Sequence, residues 1–316
     1  IGSNPKGSPK GSLFSCPAYN NFSLGGSLWR LGMAASAAAA ELTPDSMLSS
    51  GDGTPITEDE ALARLRQSDD PSQQYYGAWW LGRMRSTHPD AVPLLQQALR
   101  QRRPRDLGAG VEENAVARNA ARALGKLAPA AEAAIPDLLA TLNDDDDGLR
   151  EAAARALGEL RATEAVASLC ARLASGPAVA GAQRSDSPRL MEPCEALLEA
   201  LGDIGVAQAE VLAVVEPFTT HDRPLIRSAA ARTLLQLSGE ARWSTVLVEL
   251  LEHPQLQVRR AALMDLGAAG WRPALEPIAR TLAENSLKLI ALRGLVEHGE
   301  GEPEIPALLA CMDALL

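Results

Sequence analysis

Aromatic residues are scarce in this chain: five tryptophans, three tyrosines and three phenylalanines make up 3% of its 316 residues. The four cysteines (Cys16, Cys170, Cys194 and Cys311) are scattered without the close pairs of a zinc site, so neither a disulfide framework nor a structural metal is expected. No apolar run approaches the ~18 residues of a membrane-spanning helix. The sequence therefore predicts a cytoplasmic chain without membrane insertion.

Runs of β-branched residues are also few, whereas alanine and leucine are abundant, and this balance favours helices throughout. The net charge is −10, and because residues 1–32 carry three basic residues and no acid, the remainder stands at −13. An acidic body lacks the positive surface that phosphate binding requires. We therefore expect an all-α protein that does not bind nucleic acid.

Residues 1–54 are predicted to be a disordered extension and linker. Residues 1–32 are rich in glycine, serine, proline and asparagine and show no helical period, and Met33 is an alternative start that would make them non-native. Residues 41–54 contain mostly turn formers. Order is expected to begin near Pro55, and Thr57 with Glu60 predicts a capping box at the first helix.

Residues 55–316 are predicted to form one domain that repeats a pair of short amphipathic helices. Each second helix closes on Leu-Gly or an equivalent, at intervals of 43, 33, 44, 33, 32 and 29 residues. The closing residues are Gly82, Gly125, Gly158, Gly202, Leu235, Gly267 and Val296. This spacing predicts about six to seven hairpins stacked as a HEAT-like α-solenoid. The two long intervals hold insertions at 101–116 and 175–193, which are interpreted as long loops on one edge, either functional or idle.

Four of the eleven aromatic residues lie within six positions of the first repeat: Tyr75, Tyr76, Trp79 and Trp80. Tyr75 and Trp79 stand seven and three residues before the closing residue, where later repeats are mostly charged, and the two positions share one helix face. In most other repeats a small residue, usually alanine, stands at the positions of Tyr76 and Trp80. We therefore predict that Tyr75 and Trp79 face a ligand on the open, concave surface, and that Tyr76 and Trp80 cap the first repeat.

The two charged positions also align Arg118, Arg122 and Arg155 with arginines of later repeats. Arginine binds carboxylates through paired hydrogen bonds, so a flat conjugated acid could stack on the aromatic rings and be clamped by these residues. The alternative, and for any single arginine the stronger one, is a structural ladder of arginines against acids of adjacent repeats.

Few residues of the sequence indicate a catalytic site. The sequence contains no Ser/His/Asp order, no phosphate loop and no zinc-protease motif. His88, just after the aromatic helix, is the histidine to consider as an acid or base. Cys194 lies beside the second insertion and is interpreted as a small helix residue.

Three segments carry a resemblance to a known family. Residues 75–85 (YYGAWWLGRMR), 195–202 (EALLEALG) and 283–297 (AENSLKLIALRGLVE) resemble the E subunit of the E/F-type phycobilin lyases, a HEAT-like family of cyanobacteria. The family usually has alanine at the position of Gly77. It also tends to have Gln-Pro-Tyr-Glu where this chain has Glu192-Pro193-Cys194-Glu195.

The resemblance implies a heterodimer with an F-type subunit that attaches phycocyanobilin, a linear tetrapyrrole substrate, to a cysteine of the phycocyanin alpha subunit through a thioether. No tightly bound cofactor and no metal are implied, and the location would be the cyanobacterial cytoplasm or the stroma of a derived plastid. Tyr75, Trp79 and the three arginines would bind the bilin, and Glu195 or Glu199 would donate a proton. A related lyase for another bilin, and a non-catalytic scaffold or chaperone, remain open as alternatives.

Overall fold

The computed structural model describes residues 56–103, 114–185, 189–298 and 305–316. Within these ranges the chain is helical, and its one extended pairing is an isolated bridge between Gln183 and Leu190. The α-helices are α1 Glu58–Leu65, α2 Pro71–Arg83, α3 Ala91–Arg100, α4 Ala115–Lys126, α5 Ile135–Thr141, α6 Asp147–Glu159, α7 Val166–Leu173, α8 Pro177–Ala180, α9 Cys194–Ile204, α10 Ala209–Val215, α11 Pro224–Ser238, α12 Ala241–Leu250, α13 Leu256–Ala269, α14 Leu275–Arg280, α15 Asn285–His298 and α16 Ile305–Asp313.

These helices form seven hairpins followed by α16. The second helices of the hairpins are α2, α4, α6, α9, α11, α13 and α15, and every predicted closing residue lies in one of them. The predicted all-α, HEAT-like solenoid is confirmed. The predicted disordered segment 1–54 lies outside the described residues. Among the helices of the described ranges, none is both long and apolar enough to cross a bilayer.

The helix starts follow their sequence signals only in part. The Thr57 side chain accepts a hydrogen bond from the Glu60 backbone N–H at 3.2 Å, as an N-cap should. The Glu60 carboxylate, however, pairs with Arg64 one turn ahead at 2.7 Å. Asp70 caps α2 by accepting from the backbone N–H groups of Ser72 and Gln73.

Small residues let neighbouring second helices approach closely. A Cβ atom added to Gly82 would lie 2.8 Å from the Cα of Ala123, and one added to Gly125 would lie 2.7 Å from the Cα of Ala156. The first helices of neighbouring hairpins meet over fewer residues. The second helices therefore form the shorter, inner arc of the solenoid and line its concave side.

The described ends of both insertions meet at the turn 143–147, which links α5 to α6. Three acids of this turn are paired with the insertions: Asp144 with Arg102 (3.4 Å), Asp146 with Asn114 (3.1 Å) and Asp147 with Arg189 (3.0 Å). Arg150, which is buried at the start of α6, adds a hydrogen bond to the carbonyl of Met191 at 2.8 Å. Both insertions thus leave the solenoid at one edge, near the middle of the inner arc.

Candidate functional site

The first four second helices present a continuous set of side chains along the concave side, which we call the inner groove. Each helix contributes the residues seven and three before its closing residue and one after it, because these positions share one face at a spacing of four. The set is Tyr75, Trp79 and Arg83 on α2, Arg118, Arg122 and Lys126 on α4, Glu151, Arg155 and Glu159 on α6, and Glu195, Glu199 and Asp203 on α9. The groove therefore runs from aromatic through basic to acidic.

The aromatic end is built by α2, whose four rings are all half-buried. Trp80 packs against the hydrophobic core, whereas Trp79 lies on the groove face of the same helix. The rings of Tyr75 and Tyr76 meet edge to face, with centroids 5.7 Å apart. Asn119 of α4 donates to the Tyr75 carbonyl at 2.8 Å and so fixes α2 against the next repeat. The ligand-facing role of Tyr75 and Trp79 and the capping role of Tyr76 and Trp80 stay predictions.

Two of the three candidate arginines are held in ion pairs. Arg118 lies 3.6 Å from the carboxylate of Asp146, in the acidic turn. Arg155 pairs with Glu151 on its own helix at 3.4 Å and with Glu199 on α9. Burial lowers the pKa of the Arg155 guanidinium, but these glutamates outweigh it and raise that pKa overall. Such pairs between adjacent repeats are what a structural ladder requires.

Arg122 differs from the other two because it is exposed and forms no ion pair with any described residue. Its charge acts on Lys126, as do the charges of Arg83 and Arg85 at the end of α2. Among the arginines predicted to bind a ligand, Arg122 is therefore the one whose charge is left for an external carboxylate.

Lys126 lies one turn beyond Arg122 and is half-buried. Burial lowers the pKa of its ammonium, Glu159 opposes this shift, and the nearby charges of Arg83, Arg122 and Arg85 lower the pKa further. Four cations thus crowd the closing ends of α2 and α4. An anionic ligand at this place would relieve their mutual repulsion.

The acidic end of the groove contains two glutamates on α9 with different surroundings. Glu199 is tied to Arg155. Glu195, one turn earlier, has no ion pair or hydrogen bond to its carboxylate among the described residues. Burial and then the charge of Glu199 raise the pKa of Glu195 to about 7. Glu195 can therefore hold an acidic proton at neutral pH, as a proton donor must.

The polar network continues into α11 and α13. Arg232 pairs with Asp203, and lies 3.7 Å from Asp265. Asp265 accepts from the hydroxyl of Ser228 at 2.5 Å, and Ser228 is fully buried. The face that was predicted to be open from the two charged positions is mostly half-buried in the structure, because long side chains of adjacent helices cover one another.

His88 lies in the turn between α2 and α3, away from the groove face. Its ring Nδ1 accepts a hydrogen bond from the Asp90 backbone N–H at 3.1 Å. His221 and His253 make the same contact to the residue two positions on, at 2.9 and 3.1 Å. The shared geometry indicates a turn-stabilising histidine, and the acid or base role of His88 stays a prediction.

Sequence reasoning missed the third row of the groove: Arg83, Lys126, Glu159 and Asp203. The signal was present, because these residues continue the spacing of four beyond each closing glycine. Asp265 was not predicted either. It occupies a position at which most repeats have a small residue. The pairing of Asp265 with Ser228 becomes visible only when α11 and α13 are packed together.

Both family models and known relatives match this chain. A model of HEAT repeats matches residues 106–185, and a model of the PBS lyase HEAT-like repeat matches residues 73–101 and 258–284. Bilin biosynthesis protein RpcE of Synechococcus sp. (strain WH8020) is 48% identical over 262 residues, which are 83% of this chain and 96% of that protein. Phycocyanobilin lyase subunit alpha of Picosynechococcus sp. (strain ATCC 27264 / PCC 7002 / PR-6) is 44% identical over 82% of this chain and 96% of the relative.

The chain belongs to the phycocyanobilin lyase alpha-subunit family. A solved structure agrees: a complex of CpcE and CpcF of phycocyanin lyase from Nostoc sp. PCC7120 contains a chain with a TM-score of 0.76 and 40% identity. The match covers 85% of this chain and 98% of that one. The family resemblance predicted from residues 75–85, 195–202 and 283–297 is thereby confirmed.

Proposed function

We propose that this chain is the alpha (E-type) subunit of a heterodimeric bilin lyase. With an F-type partner it attaches phycocyanobilin through a thioether to a cysteine of the phycocyanin alpha subunit, in the cytoplasm. The observation that carries the proposal is the match to the CpcE–CpcF complex of a phycocyanin lyase, which covers 98% of the matched chain at 40% identity.

Two of the cysteines in the described residues agree with an acceptor thiol on another protein. Cys194 is fully buried, and burial raises the pKa of its thiol to about 12. Burial also raises the pKa of Cys170. A buried thiol with a raised pKa is a poor nucleophile. The net reaction adds the acceptor's S–H across a carbon–carbon double bond beside ring A: sulfur bonds to one carbon, the proton goes to the conjugated system, and nothing leaves.

The groove fits an extended conjugated dicarboxylate laid along it. Tyr75 and Trp79 offer ring faces and edges for stacking, and Arg122 and Lys126 offer positive charge one helix further on. Trp79 and Glu195 lie on second helices three steps apart, which at 8–10 Å per step is roughly 24–30 Å. A bilin that stacks on Trp79 therefore approaches Glu195 only when it lies lengthwise.

Glu195 supplies the acid in this arrangement. Protonating the conjugated system as the thiol adds removes the need to build negative charge on the bilin, and a carboxyl with a pKa of about 7 can donate at neutral pH and be reloaded afterwards. Orientation of the two reactants by the heterodimer would supply the remainder of the rate enhancement.

Co-expression tests the proposal. The chain, the F-type partner, the phycocyanin alpha subunit and a phycocyanobilin pathway are produced together, and zinc-enhanced fluorescence of the alpha band is measured after denaturing electrophoresis. Fluorescence that requires both lyase subunits and the acceptor cysteine supports it.

A band of equal intensity without this chain would contradict catalysis and indicate a scaffold. A band that forms only with a phycoerythrobilin pathway would assign the chain to another bilin. The test includes a phycoerythrobilin pathway because the relative at 48% identity is named a bilin biosynthesis protein and not a phycocyanobilin lyase.

A further inference from the structure

Two arginines of this chain hold backbone conformations that normally favour glycine. Arg85 has φ of 51° and Arg161 has φ of 53°, and each stands three residues after a closing glycine. The equivalent residues of the fourth and sixth hairpins are Gly205 and Gly270, with φ of 81° and 65°. The left-handed conformation strains any residue with a Cβ atom, so an arginine there is retained against a local cost.

The two strained arginines have the same backbone bonding. The Arg85 N–H donates to the carbonyl of Gly82 at 3.3 Å, and the Arg161 N–H donates to the carbonyl of Gly158 at 2.9 Å. Both side chains are exposed. The local backbone is therefore the same at both positions, and any difference between the two arginines has to come from what each side chain faces.

Arg85 faces the basic cluster at the closing ends of α2 and α4. Gly82 packs on Ala123 at this junction. The charges of Arg83, Arg85 and Arg122 all act on Lys126. The charge of Arg85 acts on both Lys126 and Glu159. Glu159 is the acid whose charge opposes this crowding at Lys126. Positive charge is thus concentrated, at the cost of backbone strain, one turn from Trp79.

We propose that Arg85, together with Arg122 and Lys126, forms a subsite that binds the propionate carboxylates of the tetrapyrrole. The proposal rests on the proposed function, and it deepens that function by assigning the middle of the ligand, because the propionates are on its two inner rings. Arg85 acts here as a positioning residue: it holds the bilin in register along the groove and takes no part in bond formation.

The chain offers a matched control, because Arg161 shares the strain and the exposure of Arg85 two hairpins away. Arg85→Gly and Arg161→Gly should each raise the Tm by about 2 °C through relief of the same strain. Each variant is purified as the complex with the F-type partner. Binding of phycocyanobilin and of its dimethyl ester is then measured by absorbance titration.

The wild-type complex should prefer the free acid over the dimethyl ester. Arg85→Gly and Lys126→Met should each weaken binding of the free acid about tenfold and leave the ester unchanged, whereas Arg161→Gly should retain the full preference. An Arg85→Gly complex with the wild-type preference would overturn the proposal, as would a Tm that falls in Arg85→Gly alone. A wild-type complex that binds neither form would instead overturn the proposed function itself, and the subsite with it.

Discussion

Trp79 is the residue that most sharply separates the groove from an ordinary HEAT surface. Later hairpins place arginine, glutamate or methionine at its position, and its neighbour Trp80 already supplies the packing against the core. Trp79→Ala should therefore lower bilin transfer by about tenfold or more while the helical content and the Tm stay near wild type. Trp79→Phe, which keeps a ring, should retain most of the transfer.

Met264→Ala is the matched control for Trp79, since it changes the same position of the sixth hairpin. It should leave transfer unchanged. Initial rates of chromophore attachment, measured with the F-type partner present, check both. Equal losses for Trp79→Ala and Met264→Ala would show that the effect comes from the solenoid and not from stacking.

Glu195 gives a prediction in which stability and activity move in opposite directions. Glu199 on its own helix, Glu151 and Arg155 on α6 and Asp265 on α13 surround it, and its pKa rises from 4.5 to about 7. The folded chain thus binds this proton more tightly than the unfolded chain, so native stability falls as pH rises from about 4.5 to 7. Glu195→Gln removes this loss.

Glu195→Gln should therefore have a higher Tm than the wild type at pH 8 and no advantage near pH 5, while transfer slows because an amide cannot donate the proton. Thermal unfolding at the two pH values and single-turnover transfer rates check this. Glu210→Gln, at the exposed start of α10, should change neither quantity. Unchanged adduct formation by Glu195→Gln would remove it from the mechanism.

Residue roles could be predicted from the sequence only where the spacing of the repeat assigns a residue to a helix face. That spacing placed Tyr75 and Trp79 on the same face as Arg118, Arg122 and Arg155, and the structure has them there. It could not say which arginine is free, because ion pairs such as Arg155 with Glu199 join residues 44 positions apart. The left-handed backbone conformation of Arg85 could not be predicted either, because the sequence does not distinguish an arginine with positive φ from any other arginine.

At the scale of helices, the closing glycines set the width of the groove. Gly82→Ala would bring a Cβ to 2.8 Å from backbone and side-chain atoms of Ala123, so α2 has to move away from α4. Overpacking of this kind costs about 1–3 kcal/mol. It should lower the Tm by about 2–4 °C per kcal/mol and also slow transfer, because Trp79 shifts relative to Arg122.

Gly205→Ala is the control for this change. Its added Cβ would meet no atom within 4 Å, but its φ of 81° makes the substitution strained. It should destabilise the chain without altering the rate of transfer by the folded complex. Differential scanning fluorimetry and transfer rates at a temperature well below both midpoints separate the two effects. Equal transfer by the two variants would show that the α2–α4 spacing is unimportant.

The helices were predicted from the sequence more completely than the contacts between their side chains. Hydrophobic periodicity and the closing Leu-Gly pairs located all seven second helices, because each hairpin repeats one packing problem. The capping box at Thr57 was only half right, since Arg64 competes for the Glu60 carboxylate. The convergence of both insertions on the turn 143–147 could not be foreseen in detail, because it depends on contacts between separate repeats.

At the scale of the whole molecule, the groove changes character from one end to the other. Aromatic and basic side chains line the first two hairpins, and acids gather in the fourth. A scaffold of equivalent repeats would not require this change of side-chain character along the groove. A lyase that holds a long ligand and protonates it at one place would require it. The Cys194 thiol, which is fully buried and has a raised pKa, agrees with the proposal that the acceptor protein supplies the nucleophile.

With an F-type partner, this chain is expected to catalyse attachment of a bilin to the phycocyanin alpha subunit. The most direct measurement is the initial rate of covalent adduct formation from purified components, followed by mass spectrometry of the acceptor. Rapid formation of one adduct at one cysteine is expected with both lyase subunits, and slow, unspecific addition is expected when either subunit is omitted. An equal rate and an equal product without this chain would contradict it.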